Sequence, residues 1–163
     1  MVIGILKKQL KTACHIGIIF LIGFRFALFV GKNKDKTIQK YKTYYQMLVS
    51  WMDLLERGKY LSNYLEKYGY NRVAVYGGHD TGRHLVKQLQ GTRVCVEYII
   101  DRDGSLKNNN FLPIYHPDDQ LPKTDAIVVT PIWDYQNIKE KLSAKISCPV
   151  ISLQEIIEGM KDV

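Results

Sequence analysis

The chain has only three cysteines in 163 residues, Cys14, Cys95 and Cys148, with no CxxC pair and no metal-ligand spacing to histidine. That scarcity excludes a disulfide framework and a thiolate metal centre, so no metal is expected and the thiols read as reduced. Cys95 and Cys148 fall in or beside strand-like apolar runs and are expected to be buried packing residues. Internal repeats and low-complexity linkers are also missing, which removes solenoids and tethered arrays from consideration. The one long apolar run is followed by GKNKDK, which lacks the small residues of a signal-peptidase site, so the run is expected to stay on the protein. Beyond the last strand-like run only LQEIIEGMKDV remains, too little for a separate substrate domain.

What is present is a hydrophobic share of 46%, enough for a packed core. The net charge of +7 is uneven. Residues 1–72 hold thirteen Lys/Arg against four Asp/Glu, a balance of +9, and residues 73–163 hold ten against twelve, a balance of −2. A basic N-terminal part joined to a near-neutral remainder suits contact with an anionic surface, of which phospholipid and nucleic acid are the usual kinds.

Residues 12–31, TACHIGIIFLIGFRFALFVG, form an almost unbroken apolar stretch whose only charge is Arg25, with lysines on both flanks. As a helix, twenty residues cover about 30 Å, the thickness of a bilayer core, but the arginine makes a full span marginal. Lysines on both sides fit a segment lying in one leaflet, with Arg25 reaching toward phosphates; burial against the protein is the alternative. The membrane surface, met from the cytoplasmic side, is therefore an expected partner, and the protein is otherwise expected in the cytoplasm.

Residues 37–57 have a helical period, with Ile38, Tyr41, Tyr45, Leu48, Trp51, Met52 and Leu55 at spacings of three and four. These apolar positions are expected to be core or helix contacts rather than a nucleic-acid stacking surface, so nucleic acid is not an expected partner. Gly58 ends the helix, and a shorter one follows over residues 60–68. From residue 71 the pattern alternates. RVAVY, RVCVEYII, FLPIY, DAIVVT and CPVIS read as strands, with helices at 83–89, 134–145 and 153–160 and a helical turn at PDDQL. Continuous apolar strands separated by helices predict an α/β fold, a Rossmann-like parallel sheet of about five strands in order 3-2-1-4-5 with helices on both faces. The expected organisation is an anchor over residues 1–36, a helical arm over 37–70 and the Rossmann-like domain over 71–163.

The stretch VAVYGGHDTGRHL has the layout of a dinucleotide fingerprint, strand, glycine turn and helix start. Gly77 and Gly82 take the first and third glycine positions, but His79 stands at the second, where pyrophosphate approaches bare backbone. Gly78 and Thr81 complete the turn, and Asp80 is placed to cap the helix, where its charge opposes a bound anion and Arg83 offsets it. Asp101, nineteen residues after Gly82, stands where an acidic group bonds ribose hydroxyls. Thr130 and Trp133 follow the fourth strand at its carboxyl end, where Trp133 is placed either to stack on a base or to pack on its own helix. NAD(P) and nucleotide-sugars are the ligand classes that fit such a crevice; the opposing reading is a turn that serves only the fold. Tyr135 and Lys139 match the spacing of the short-chain dehydrogenase pair, a spacing that also arises by chance.

Taken with EYIIDRD, DAIVVTPIWDYQNIKEKL and CPVISLQEII, this stretch resembles small Rossmann-like proteins of bacterial capsule and cell-surface polysaccharide gene clusters. The pattern is similar to the nucleotide-binding domains of nucleotide-sugar acyltransferases and sugar C-methyltransferases, over residues 44–158. The resemblance implies nucleotide or nucleotide-sugar binding near polysaccharide assembly, with a polysaccharide-synthesis enzyme as partner. The alternatives are an NAD(P)-dependent dehydrogenase or epimerase, and a scaffold for a glycosyltransferase that binds no ligand.

Overall fold

A computed structural model describes residue 25 and residues 34–103 and 112–161, and the chain divides into two compact units, Met1–Thr43 and Tyr44–Val163. The apolar run 12–31, apart from Arg25, lies outside the described residues. Among those described, no helix is long and apolar enough to cross a membrane.

A helix over residues 34–56 (α1) precedes α2 (Leu61–Lys67), β1 (Arg72–Tyr76), α3 (Asp80–Leu89) and β2 (Cys95–Ile100). Then come β3 (Ile114–Tyr115), β4 (Ala126–Val129), a single 3-10 turn at Ile132–Asp134, α4 (Tyr135–Ser143), β5 (Val150–Ser152) and α5 (Leu153–Gly159). The five strands form one parallel sheet in the order β3-β2-β1-β4-β5, the Rossmann-like arrangement expected from the run of buried Val and Ile segments.

Alternation along β1 sends side chains to two cores. Val73 and Val75 pack with Leu85 and Leu89 of α3, while Ala74 and Tyr76 pack with Ile138 and Leu142 of α4. Helices therefore leave β1 and β4, which are neighbours, toward opposite faces, the topological switch point at which open α/β sheets take their ligands.

The helices before β1 belong to the first core. Met47, Trp51 and Leu54 of α1 and Leu61 and Leu65 of α2 share it with Leu153, Ile156 and Ile157 of α5. Full burial of a leucine such as Leu61 or Leu65 contributes about 1.5–3 kcal/mol. The α5 helix starts with a capping box: Ser152 Oγ accepts from the Gln154 amide and Glu155 Oε2 from the Ser152 amide.

Three expectations are corrected. Of the seven apolar positions expected to pack from residues 37–57, Trp51 is buried, whereas Ile38, Tyr41, Tyr45, Leu48, Met52 and Leu55 are exposed. From Tyr44 onward the helix turns a different stripe inward, Tyr44, Met47, Trp51 and Leu54, and Trp51 Nε1 also donates to Gln88 Oε1 of α3 at 3.1 Å. Cys95 is exposed, because it opens β2 at the rim of the sheet beside Arg72, and Cys148 is partly buried. PDDQL forms no helix; the segment is closed as a turn by the Asp119 amide on the His116 carbonyl and by Asp119 Oδ2 on the His116 amide.

Candidate functional site

The turn from β1 into α3 is built as tightly as the fingerprint requires. Gly77 has φ +96, a region that L side chains rarely adopt, and a Cβ there would lie 2.5 Å from Thr130 Oγ1. A Cβ on Gly82 would overlap the Gly77 carbonyl, so the first turn of α3 rests directly on the strand end. Thr130 is buried, with its hydroxyl 3.0 Å from the Tyr76 carbonyl and 3.3 Å from that of Gly77. It braces the turn from the β4 side.

Asp101 follows β2 and is held by backbone on two sides. The Gly78 amide donates to its Oδ2 at 2.6 Å and the Asp103 amide to its Oδ1 at 2.8 Å. A carboxylate has about four lone-pair sites, so Asp101 fixed in this way still has capacity to accept from a neighbouring diol. The same contact occupies the Gly78 amide, one of the donors that a pyrophosphate would otherwise approach.

His79 is the residue that caps α3 by position, and no side chain caps the helix there. Asp80, expected as the cap, is instead the first helical residue and pairs with Arg83 at 2.7 Å. Its side chain starts one position too late to fold back onto the free amides, and Arg83, three residues on, lies within reach on the same face. The His79 imidazole projects into solvent with Nε2 3.8 Å from Asp103 Oδ2. Thr81, in the first turn of α3, is half-buried.

Sequence reading missed the residues that bridge the loops on either side of the end of β1. Arg102, immediately after Asp101, pairs with Asp134 Oδ2 at 3.3 Å and so joins the loop after β2 to the 3-10 turn after β4. These strands flank β1 on either side, so the ion pair crosses above the end of β1. The signal in the sequence was only IIDRD, an arginine next to the residue already singled out. Trp133 sits in the same 3-10 turn and is half-exposed.

Four carboxylates, Asp80, Asp101, Asp103 and Asp134, surround the turn against two guanidinium groups, Arg83 and Arg102, a balance of −2 with His79 left aside. Each guanidinium is already paired. The uncapped start of α3 attracts an anion, but the surrounding charge opposes one, and the arrangement suits a hydroxyl-rich ligand group better than an exposed pyrophosphate.

Tyr135 and Lys139 do not form an acid/base pair directed at the turn. The Tyr135 hydroxyl lies 3.0 Å from the Val150 carbonyl and 3.0 Å from Glu155 Oε2, and Lys139 Nζ sits 5.3 Å from the ring centroid. Burial pushes the Tyr135 phenol above its ordinary value despite Lys139, the opposite of what a dehydrogenase tyrosine needs. Among the described residues no group of three or more His, Cys, Asp or Glu side chains is arranged for a metal ion. Comparison of the chain with protein-family models, curated proteins and solved structures finds no match.

Proposed function

We propose that the protein is a nucleotide-binding module whose ligand is a nucleotide or nucleotide-sugar, seated at the carboxyl ends of β1 and β4. The observation that carries this reading is Asp101, fixed at the end of β2 by two backbone amides and facing the glycine turn with unused acceptor sites. In this position it reads the diol of a ribose or sugar and Trp133 offers a ring to a base, while the phosphates lie toward solvent, away from the carboxylates around the start of α3. The link to cell-surface polysaccharide synthesis, and to a partner enzyme there, rests on the sequence resemblance. A role at the cytoplasmic face of the membrane rests on the apolar, lysine-flanked residues 12–31.

A nicotinamide-dependent dehydrogenase or epimerase fits less well, because the one tyrosine at a suitable spacing is committed to Val150 and Glu155. The deciding experiment is a thermal-shift series with NAD, NADP, CoA, UDP-sugars and CDP-sugars. At least one gives a saturable rise; at a hundred times its dissociation constant a ligand adds about 2.7 kcal/mol. The rise is lost in Asp101→Asn. No shift with any of these ligands would overturn the proposal.

A further inference from the structure

The face of the sheet that α4 covers holds a cavity of about 430 Å³, and none of the turn residues from Gly77 to Gly82 lines it. Ile138, Lys141 and Leu142 share one side of α4 at spacings of three and four and form one wall, with Lys145 following just past the helix end. Pro117 and Asp118, after β3, form the opposite wall, and Tyr76, the last residue of β1, lines the cavity beside the sheet. The volume lies at the lower end of the range for small-molecule sites, room for one sugar-sized molecule and too little for a dinucleotide.

Two polar groups of this cavity are unspent. Tyr76 is only 6% exposed, and its hydroxyl neither hydrogen-bonds to a described residue nor is sealed in protein, so it is open to the cavity. Burial pushes the phenol above its ordinary value, which keeps the proton on the oxygen and makes it a donor. A buried hydroxyl without a partner costs free energy that a ligand oxygen restores. Lys145 donates to the Pro117 carbonyl at 3.2 Å and to Asp118 Oδ1 at 3.0 Å, so its charge is matched. Lys141 forms no ion pair with a described residue, and the exposed rim therefore keeps one positive charge. Ile138, Leu142 and Pro117 offer an apolar surface to a carbon skeleton.

We infer that this cavity binds a monoanionic, sugar-sized hydroxy acid, with its carboxylate on Lys141, an oxygen accepting from the Tyr76 hydroxyl and its C–H face against Ile138 and Leu142. One unmatched positive charge suits a carboxylate. A phosphate ester, with a charge of about −1.5 to −2 at neutral pH, would stay partly unmatched beside Asp118. Such an acid arrives either free or as the sugar of the nucleotide-sugar proposed above, since Tyr76 leads straight into Gly77. Only the second source rests on that reading.

The test follows amide NMR signals of the full chain in a mild detergent during titration with glucuronate, glucose and glucose 6-phosphate, and with UDP-glucuronate against UDP-glucose. The acid is expected to move the signals of Tyr76 and Lys141 saturably and to bind at least several-fold more tightly than its neutral counterpart or the phosphate. Lys141→Gln removes that preference and Tyr76→Phe weakens the acid several-fold, both with the parent's melting temperature, since neither side chain has a hydrogen bond or ion pair to lose. A preference seen with free glucuronate alone makes the cavity a site for the free acid; one seen with UDP-glucuronate makes it the sugar end of the nucleotide site. The inference is overturned if neither form of the acid is preferred, if glucose 6-phosphate binds more tightly than glucuronate, or if the preference survives Lys141→Gln. Equal binding of UDP-glucuronate and UDP-glucose, with no preference for free glucuronate, would overturn it while leaving nucleotide binding intact.

Discussion

The carboxylate of Asp101 accepts a hydrogen bond from the amide of Gly78 at 2.6 Å, tying the end of β2 to the turn that leaves β1. A residue expected as a ligand contact is thus also a fastening of the site. Asp101→Ala should leave the buried Gly78 amide without a partner and cost about 1–3 kcal/mol in denaturant unfolding. Asp101→Asn keeps the shape and one acceptor oxygen, so it should lose ligand-induced stabilisation at a smaller cost to the fold. Equal melting behaviour of the Ala variant and the parent would remove Asp101 from the turn's support.

Gly82→Ala should be among the most damaging small substitutions in the chain. The added methyl overlaps the Gly77 carbonyl, a backbone atom that cannot swing aside, so α3 must lift from the strand end. A loss of about 1–3 kcal/mol or more is expected from overpacking, read as a fall in the denaturation midpoint. Alanine at Gly91, where no atom lies within 4 Å, isolates the cost of a positive φ without a clash.

Phosphate binding is expected to improve when the charge at the start of α3 is relieved. Asp80→Asn removes a carboxylate from the helix N-terminus and releases Arg83 from its 2.7 Å pairing, so titration with a phosphate-bearing ligand should give a several-fold lower dissociation constant. His79→Gly should act in the same direction by clearing the position where the fingerprint leaves the backbone bare. Weaker binding in His79→Gly would instead make the imidazole a phosphate donor.

Tyr135→Phe separates structural from chemical roles. The hydroxyl holds the Val150 carbonyl and Glu155, so its removal should cost about 0.5–1.5 kcal/mol of stability. Ligand-induced thermal shifts should be unchanged; their loss would return the tyrosine to the binding site.

Two surface carboxyls should titrate low. The Arg72 guanidinium, 2.8 Å from Glu97, and the Lys145 ammonium, 3.0 Å from Asp118, hold these groups below the usual carboxylate range. Because the folded values are depressed, the stabilisation is present above the unfolded carboxylate values near ~4 and disappears as pH falls through the folded ones. Carbon-detected NMR titration should show both midpoints below ordinary values, with that of Glu97 returning upward in Arg72→Gln. Both pairs are exposed, so added salt should shrink the effect.

The sheet was legible because its strands are short unbroken runs of Val, Ile and Ala, which only a doubly covered parallel strand tolerates, and because glycine at 77 and 82 marks where β1 must turn. Asp101 was legible as a position, by its distance from the turn, but its bond to the Gly78 amide depends on β1 and β2 lying side by side. The α1 stripes show a different limit. Tyr44, Met47, Trp51 and Leu54 run almost in step with Tyr45, Leu48, Met52 and Leu55, one residue apart, and hydropathy ranks both as buried. Only the packing of α1 with the sheet residues decides between them. Tyr135 failed as a catalytic candidate for a similar reason: spacing on a helix says which side chains share a face, and nothing about what that face meets.

The contact between α2 and α5 sets the order in which the molecule can form. Leu61 and Leu65 have their apolar neighbours Leu153, Ile156 and Ile157 almost a hundred residues away, and Lys59 reaches the Met160 carbonyl at 3.4 Å. A chain emerging from a ribosome makes α2 early, and the part of its apolar side that α5 covers stays open until α5 is released. The native core is therefore completed only when early and late segments meet, and contacts of such long sequence separation should slow folding for a chain of this size.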